Sequence, residues 1–115
     1  MDKGKKYKLI VVDVDGTLLN SEAQLSEYTE KALREFVALG GYVILATGKL
    51  FATIESLCRT LSLRLKQIVA NGSIIVDPTT GTHEVIHQLD LCSLGIIRRI
   101  LKDYNVQFVY YKSTN

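Results

Sequence analysis

The sequence predicts an α/β fold built on a parallel sheet, and three observations carry that prediction. Short apolar runs rich in β-branched residues recur at Leu9-Ile10-Val11-Val12, Tyr42-Val43-Ile44-Leu45-Ala46 and Ile68-Val69-Ala70. Such runs read as buried strands of a parallel sheet. Segments with helical apolar spacing lie between them. Each run also ends in polar or turn-forming residues, Asp13-Val14-Asp15-Gly16-Thr17, Thr47-Gly48-Lys49 and Asn71-Gly72. Open α/β sheets place their ligands at the carboxyl ends of the strands.

Lys3, Lys5, Lys6 and Lys8 precede the first strand and read as a solvated lead-in. The acidic pair follows that strand. Residues two apart on an extended backbone point the same way, so Asp13 and Asp15 are expected to face one pocket. Gly16 lets the chain turn sharply, and Thr17 adds a hydroxyl. Two like charges this close call for a cation or a proton. Magnesium is the expected cation, because it takes hard oxygen ligands and commonly sits with phosphate. Asp13 is then suited to ligate metal and attack an electrophile. Asp15 is suited to carry a proton to and from a leaving group. The competing reading is a solvated acidic turn, since Asp and Gly are ordinary turn residues.

Leu18 to Gln24 reads as a connector. Ser26 is the expected N-cap of a helix carrying Ala32, Leu33, Phe36 and Val37 at helical spacing, with Gly40-Gly41 as its stop. After the second strand, the Thr47 hydroxyl, the Gly48 backbone and the Lys49 ammonium form a candidate phosphate cradle. The βαβ order brings it to the same sheet edge as Asp13, and the next helix starts close enough to offer its first N–H groups. A helix over Phe51 to Leu61 has the stripe Ile54, Leu57, Cys58 and Leu61. Asn71-Gly72 ends the third strand. Ile74-Ile75-Val76 and Val85-Ile86 flank Asp77-Pro78-Thr79-Thr80-Gly81 as a hairpin. His83 and His87 fall in a strand-like stretch and are expected at the surface. Leu91, Leu94, Ile97, Ile100 and Leu101 predict a last helix capped by Asp90 and broken at Asn105. Val106 to Tyr111 reads as a strand.

Asp13-Val14-Asp15-Gly16-Thr17-Leu18-Leu19 resembles the first motif of the haloacid dehalogenase (HAD) superfamily of phosphatases, and Thr47-Gly48-Lys49 resembles the second. The closer likeness is to the Cof-type hydrolases, which carry a large cap. The resemblance implies a HAD-like (Rossmannoid) parallel-sheet core, incomplete in this chain, with the start of an α+β cap. It implies a core over residues 1-88 and the beginning of a cap over 89-115. It implies a magnesium-dependent phosphatase of small phosphorylated metabolites such as sugar phosphates. Asp13 would be the nucleophile and a metal ligand. Asp15 would be the acid/base and would lend the metal its backbone carbonyl. Thr47, Gly48, Lys49 and Asn71 would line the phosphate pocket. Lys49 departs from the usual Thr-Gly-Arg; it keeps the charge and loses the planar fork.

The remaining features bound the function. The 115 residues suit one small domain, 47% of them apolar. A net charge of +2 is too small to argue for nucleic acid. Cys58 and Cys92 lie in apolar helical patterns, where buried free thiols are expected, and two isolated cysteines make no zinc or disulfide framework. No signal-peptide pattern precedes the first strand and no apolar run is long enough to span a bilayer, so the chain reads as cytoplasmic. In the resembling family a lysine and further acidic metal ligands follow the cap, and neither motif is found here. The chain therefore reads as the N-terminal part of a phosphatase, inactive alone, with sheet edges open to self-association. A phosphosugar mutase, a non-catalytic interaction module and a plain metal- or phosphate-binding fold stand as alternatives.

Overall fold

The computed structural model describes residues 7–112, so the lead-in positions Lys3, Lys5 and Lys6 lie outside the described residues. Strand β1 (Leu9–Val12) pairs in parallel with β2 (Tyr42–Leu45). Helix α1 (Glu27–Ala38) makes the crossover. Helix α2 (Phe51–Thr60) leads to β3 (Gln67–Val69), which meets the second strand through a parallel bridge between Ala46 and Ile68. The third strand then pairs antiparallel with β4 (Ile74–Val76), and that strand with β5 (His83–Val85). The structure thus has the expected α/β core, with a separate antiparallel sheet continuing from its third strand. Helix α3 (Leu91–Asp103) follows.

Local chemistry explains the boundaries. The Ser26 hydroxyl accepts from the Thr29 N–H, as an N-cap should. The first helix ends where Gly40 takes a left-handed φ of 81°. Gly41 is buried, and its N–H donates to the Phe36 carbonyl at 2.9 Å. A Cβ at Gly41 would overlap the Phe36 ring. Gly41→Ala is therefore expected to lower stability by about 1–3 kcal/mol, the usual cost of overpacking. Urea unfolding measures this, and an unchanged midpoint would mean that the ring swings aside freely.

Register decides which face is covered. Ile10 and Val12 lie opposite Val43 and Leu45, and this face packs with Ile54, Cys58, Leu61 and Val69 in the core. On the other face Leu9 and Val11 are 47% and 55% exposed. The first strand is therefore covered on one side only among the described residues, not buried as its apolar run predicts. Right-handed crossovers, the general rule for parallel strands, would set the first two helices on one face of the sheet.

Three expectations are corrected. Ile68 and Val69 are in the third strand, but Ala70 has a φ of 50° and leaves it. Residues 106–111 adopt no paired strand; an extended segment needs a neighbour to complete its ladder. Phe108 and Tyr110 instead stack on each other, with ring centroids 6.3 Å apart. Cys92 is exposed rather than buried, because the last helix has no buried residue. Its N-cap is as predicted: the Asp90 carboxylate accepts from the Ser93 hydroxyl and N–H, which hold that carboxyl below the usual carboxylate range. The radius of gyration is 17.6 Å, against about 13 Å for a compact domain near 100 residues, which agrees with a C-terminal region that does not fold back into the core. No helix among the described residues is long and apolar enough to cross a membrane.

Candidate active site

The first strand hands directly into an unusual turn. The Leu18 N–H donates to the Asp13 carbonyl at 3.2 Å and the Leu19 N–H to the Val14 carbonyl at 2.9 Å. These bonds to the fifth residue back close a single wide π-type turn, in which Asp15 (φ −74°, ψ 127°) and Gly16 (φ 70°) depart from helical angles. Two apolar residues anchor it, since Val14 and Leu18 are 0% and 6% exposed. The polar residues between them, Asp15, Gly16 and Thr17, are exposed, as is Asp13. Gly16 has a φ of 70°, and a Cβ there would meet nothing within 4 Å. Its requirement is therefore conformational rather than steric.

The loop after the second strand lies beside this turn. The Ala46 N–H donates to the Val12 carbonyl at 2.9 Å, so Asp13 and Thr47 leave the sheet at the same edge. Thr47 is 5% exposed. Its N–H donates to the Ile68 carbonyl, and its own carbonyl accepts from the Asn71 N–H at 3.1 Å. The Thr47 hydroxyl accepts from the Lys49 N–H at 3.1 Å. The Lys49 carbonyl accepts from the Ala70 N–H at 2.9 Å. The loops after the second and third strands are thus stitched together by backbone hydrogen bonds.

Gly48 differs from Gly16, since its neighbourhood rather than its backbone conformation favours glycine. A Cβ on Gly48 would lie 2.7 Å from the Asn71 Oδ1, so a side chain there would push the Asn71 amide aside. Ala70, Asn71 and Gly72 have successive φ values of 50°, 55° and 86°. Asparagine and glycine tolerate this left-handed region, whereas Ala70 is strained by roughly 1–2 kcal/mol. The hydrogen bonds to Lys49 and Thr47 hold the strained turn in place.

The two motifs meet through an ion pair. The Lys49 Nζ lies 3.2 Å from the Asp15 Oδ1, with side chains 32% and 56% exposed respectively. Asp13, Asp15, Thr47, Gly48, Lys49 and Asn71 all therefore belong to one edge of the sheet. The π-turn and the ion pair were not legible from residue spacing. A cavity of about 290 Å³ opens between the connector and the two core helices, lined by Leu19, Leu25, Glu30, Lys49 and Leu57 among others. Neither acidic residue of the first motif lines it.

The donors available to a divalent cation are hard oxygens. The Asp13 carboxylate is exposed at the strand end, and the Asp15 carbonyl follows it. No group of three His, Cys, Asp or Glu side chains comes together among the described residues. Magnesium is commonly held by one or two carboxylates with waters and substrate phosphate, so the residues present fit part of its shell. Other reactive side chains are poorly suited to chemistry here. Burial pushes the Cys58 thiol up to about 11, and thiols react as thiolates. His83 and His87 are exposed, as expected.

The sequence profile of the haloacid dehalogenase-like hydrolases matches residues 10–115. Among curated proteins, the 5-amino-6-(5-phospho-D-ribitylamino)uracil phosphatase YcsE of Bacillus subtilis (strain 168) is 46% identical over 70 residues, covering 61% of this chain and 28% of that protein. Phosphatase YwpJ of the same organism is 42% identical over 71 residues, covering 62% of this chain and 25% of that protein. Among solved structures, a haloacid dehalogenase-like hydrolase from B. subtilis superposes with a TM-score of 0.73 at 36% identity, covering 85% of this chain and 34% of that one. The matched region is thus about a quarter to a third of each relative's length. With the profile covering all but its first nine residues, the chain belongs to the haloacid dehalogenase-like hydrolases.

Proposed function

We propose that these residues form the nucleophile-bearing N-terminal part of a Cof-type phosphatase that acts on small phosphorylated metabolites, sugar phosphates among them. The observation that carries this reading is the single sheet edge joining the Asp13–Asp15 turn to the Thr47–Lys49 loop. Similarity to a phosphatase of a phosphorylated ribityl compound supports a small phosphorylated substrate. Residues 1-88 would form core and 89-115 the start of a cap that selects substrate and excludes water.

In the proposed reaction an Asp13 carboxylate oxygen forms a bond to phosphorus as the bond to the leaving oxygen breaks. Asp15 gives its proton to that oxygen, releasing an alcohol and leaving an aspartyl-phosphate. Asp15, now a carboxylate, takes a proton from water. The resulting hydroxyl bonds to phosphorus, the bond to Asp13 breaks, and inorganic phosphate departs. The Thr47 hydroxyl and the neighbouring N–H groups stabilise charge on the phosphoryl oxygens. Asp13, through its carboxylate, and Asp15, through its carbonyl, would hold magnesium, which supplies charge neutralisation when bound.

The test is phosphate release from p-nitrophenyl phosphate and from a panel of sugar phosphates, using the longest natural form of the protein. Turnover lost on chelation and restored by magnesium is expected; metal-independent turnover would count against the reading. Residues 1–115 alone are expected to be poor catalysts, because the resemblance assigns a lysine and further acidic ligands to sequence after the cap. Losing even one preorganised contact of this kind costs roughly 3 kcal/mol, about a hundredfold in rate.

A further inference from the structure

We infer that Lys49 is a positioning residue for Asp15, fixing the direction of its carboxylate, rather than chiefly a grip on the substrate phosphate. The inference rests on the phosphatase reading above. Its basis is the 3.2 Å contact between the Lys49 Nζ and the Asp15 Oδ1. Asp15 sits on the exposed side of the turn with extended backbone angles (φ −74°, ψ 127°), followed by Gly16 in the left-handed region (φ 70°). A side chain at such a place has several open rotamers, and Lys49 is its salt-bridge partner.

Lys49 is well placed to hold it. Its N–H donates to the Thr47 hydroxyl and its carbonyl accepts from the Ala70 N–H, so its backbone is fixed on both sides. Its side chain lines the cavity beside Leu19 and Leu57, and its ammonium ends 3.2 Å from the Asp15 carboxylate. The ion pair on this anchored backbone links the second strand's loop to the first strand's turn. A group that must deliver a proton to a leaving oxygen loses rate when its direction is not held.

The two roles for Lys49 predict different kinetics. A phosphate grip acts equally on every phosphate ester and shows mainly in KM. A residue acting through Asp15 shows in kcat, and most strongly where the leaving oxygen must be protonated. Phenyl phosphate has such a leaving group; p-nitrophenyl phosphate departs as a stable anion and needs the proton far less. In the longest natural form of the protein, Lys49→Met is expected to lower kcat for phenyl phosphate roughly tenfold or more. KM should change little, and the loss with p-nitrophenyl phosphate should be clearly smaller. Lys49→Arg keeps the charge and should restore most of the lost rate. Equal losses on the two esters, or a raised KM with kcat intact, would overturn the inference while leaving the phosphatase reading standing. Persistence of full turnover in Asp13→Asn would overturn that reading itself.

Discussion

Asp13→Asn should abolish phosphate-ester turnover, with a loss on the order of 10⁴-fold or more, the scale seen when a covalent nucleophile is removed. The amide has nearly the shape of the carboxylate, and Asp13 is exposed at the end of the first strand, so the fold should be unaffected. In the proposed reaction, what disappears is the anionic oxygen that would bond to phosphorus and the charge that would draw a divalent cation. Asp15→Asn is expected to differ in kind. Its carbonyl remains, so metal affinity should be largely kept, while proton transfer, commonly worth 10²–10⁴-fold, is lost. Rapid-quench measurement separates the two: Asp15→Asn can still become phosphorylated with an activated ester, and Asp13→Asn cannot. Turnover by Asp13→Asn at the unaltered rate would remove Asp13 from the nucleophile's role.

The placement of these residues is largely legible in the amino-acid sequence. Apolar runs of four to five residues ending in Asp-x-Asp-Gly-Thr and Thr-Gly-Lys carry their own topology, because parallel strands deliver their carboxyl ends to one edge. The Ser26 and Asp90 caps are legible for a similar reason: each depends on bonds within three residues. What escapes the sequence depends on partners distant along the chain. The coverage of Leu9 and Val11 depends on what packs across the sheet, and a β-branched run looks the same whether one face or two are covered. Val106 to Tyr111 has strand-like composition, but strand formation requires a neighbour. Lys49 has a charge suited to phosphate. Its contact with Asp15, 34 residues away in sequence, arises only because the fold sets the two loops side by side.

Gln67 is the least legible residue of all, and its substitution should lower stability. It is 0% exposed. Its Oε1 accepts from the Leu45 N–H at 2.7 Å, and its Nε2 donates to the Leu65 carbonyl at 2.6 Å. The second and third strands are joined by the Ala46–Ile68 bridge, and the glutamine side chain satisfies the ladder position beside it. The neighbouring Ile68 carbonyl accepts from the Thr47 N–H, so this link also places the candidate phosphate loop. Gln67→Leu preserves volume but leaves the buried Leu45 N–H without its acceptor. It should cost about 1–3 kcal/mol and loosen Thr47.

Gln67→Glu gives a sharper result because its effect depends on pH. When protonated, the introduced carboxyl can accept from the Leu45 N–H and donate to the Leu65 carbonyl, reproducing both bonds. When ionised, it brings an unpaired buried charge against that carbonyl. Burial therefore raises its folded-state pKa above the unfolded value of about 4.3. The folded state then binds more protons than the unfolded state, and stability falls as pH rises above that value. Relative to the unaltered protein, the variant should be nearly as stable near pH 4. It should lose about 1.4 kcal/mol per pH unit above the unfolded pKa until the folded-state pKa is reached. Denaturant unfolding of both proteins across pH 4 to 8 measures the difference directly. A stability gap independent of pH would mean that the side chain at position 67 is not held between Leu45 and Leu65.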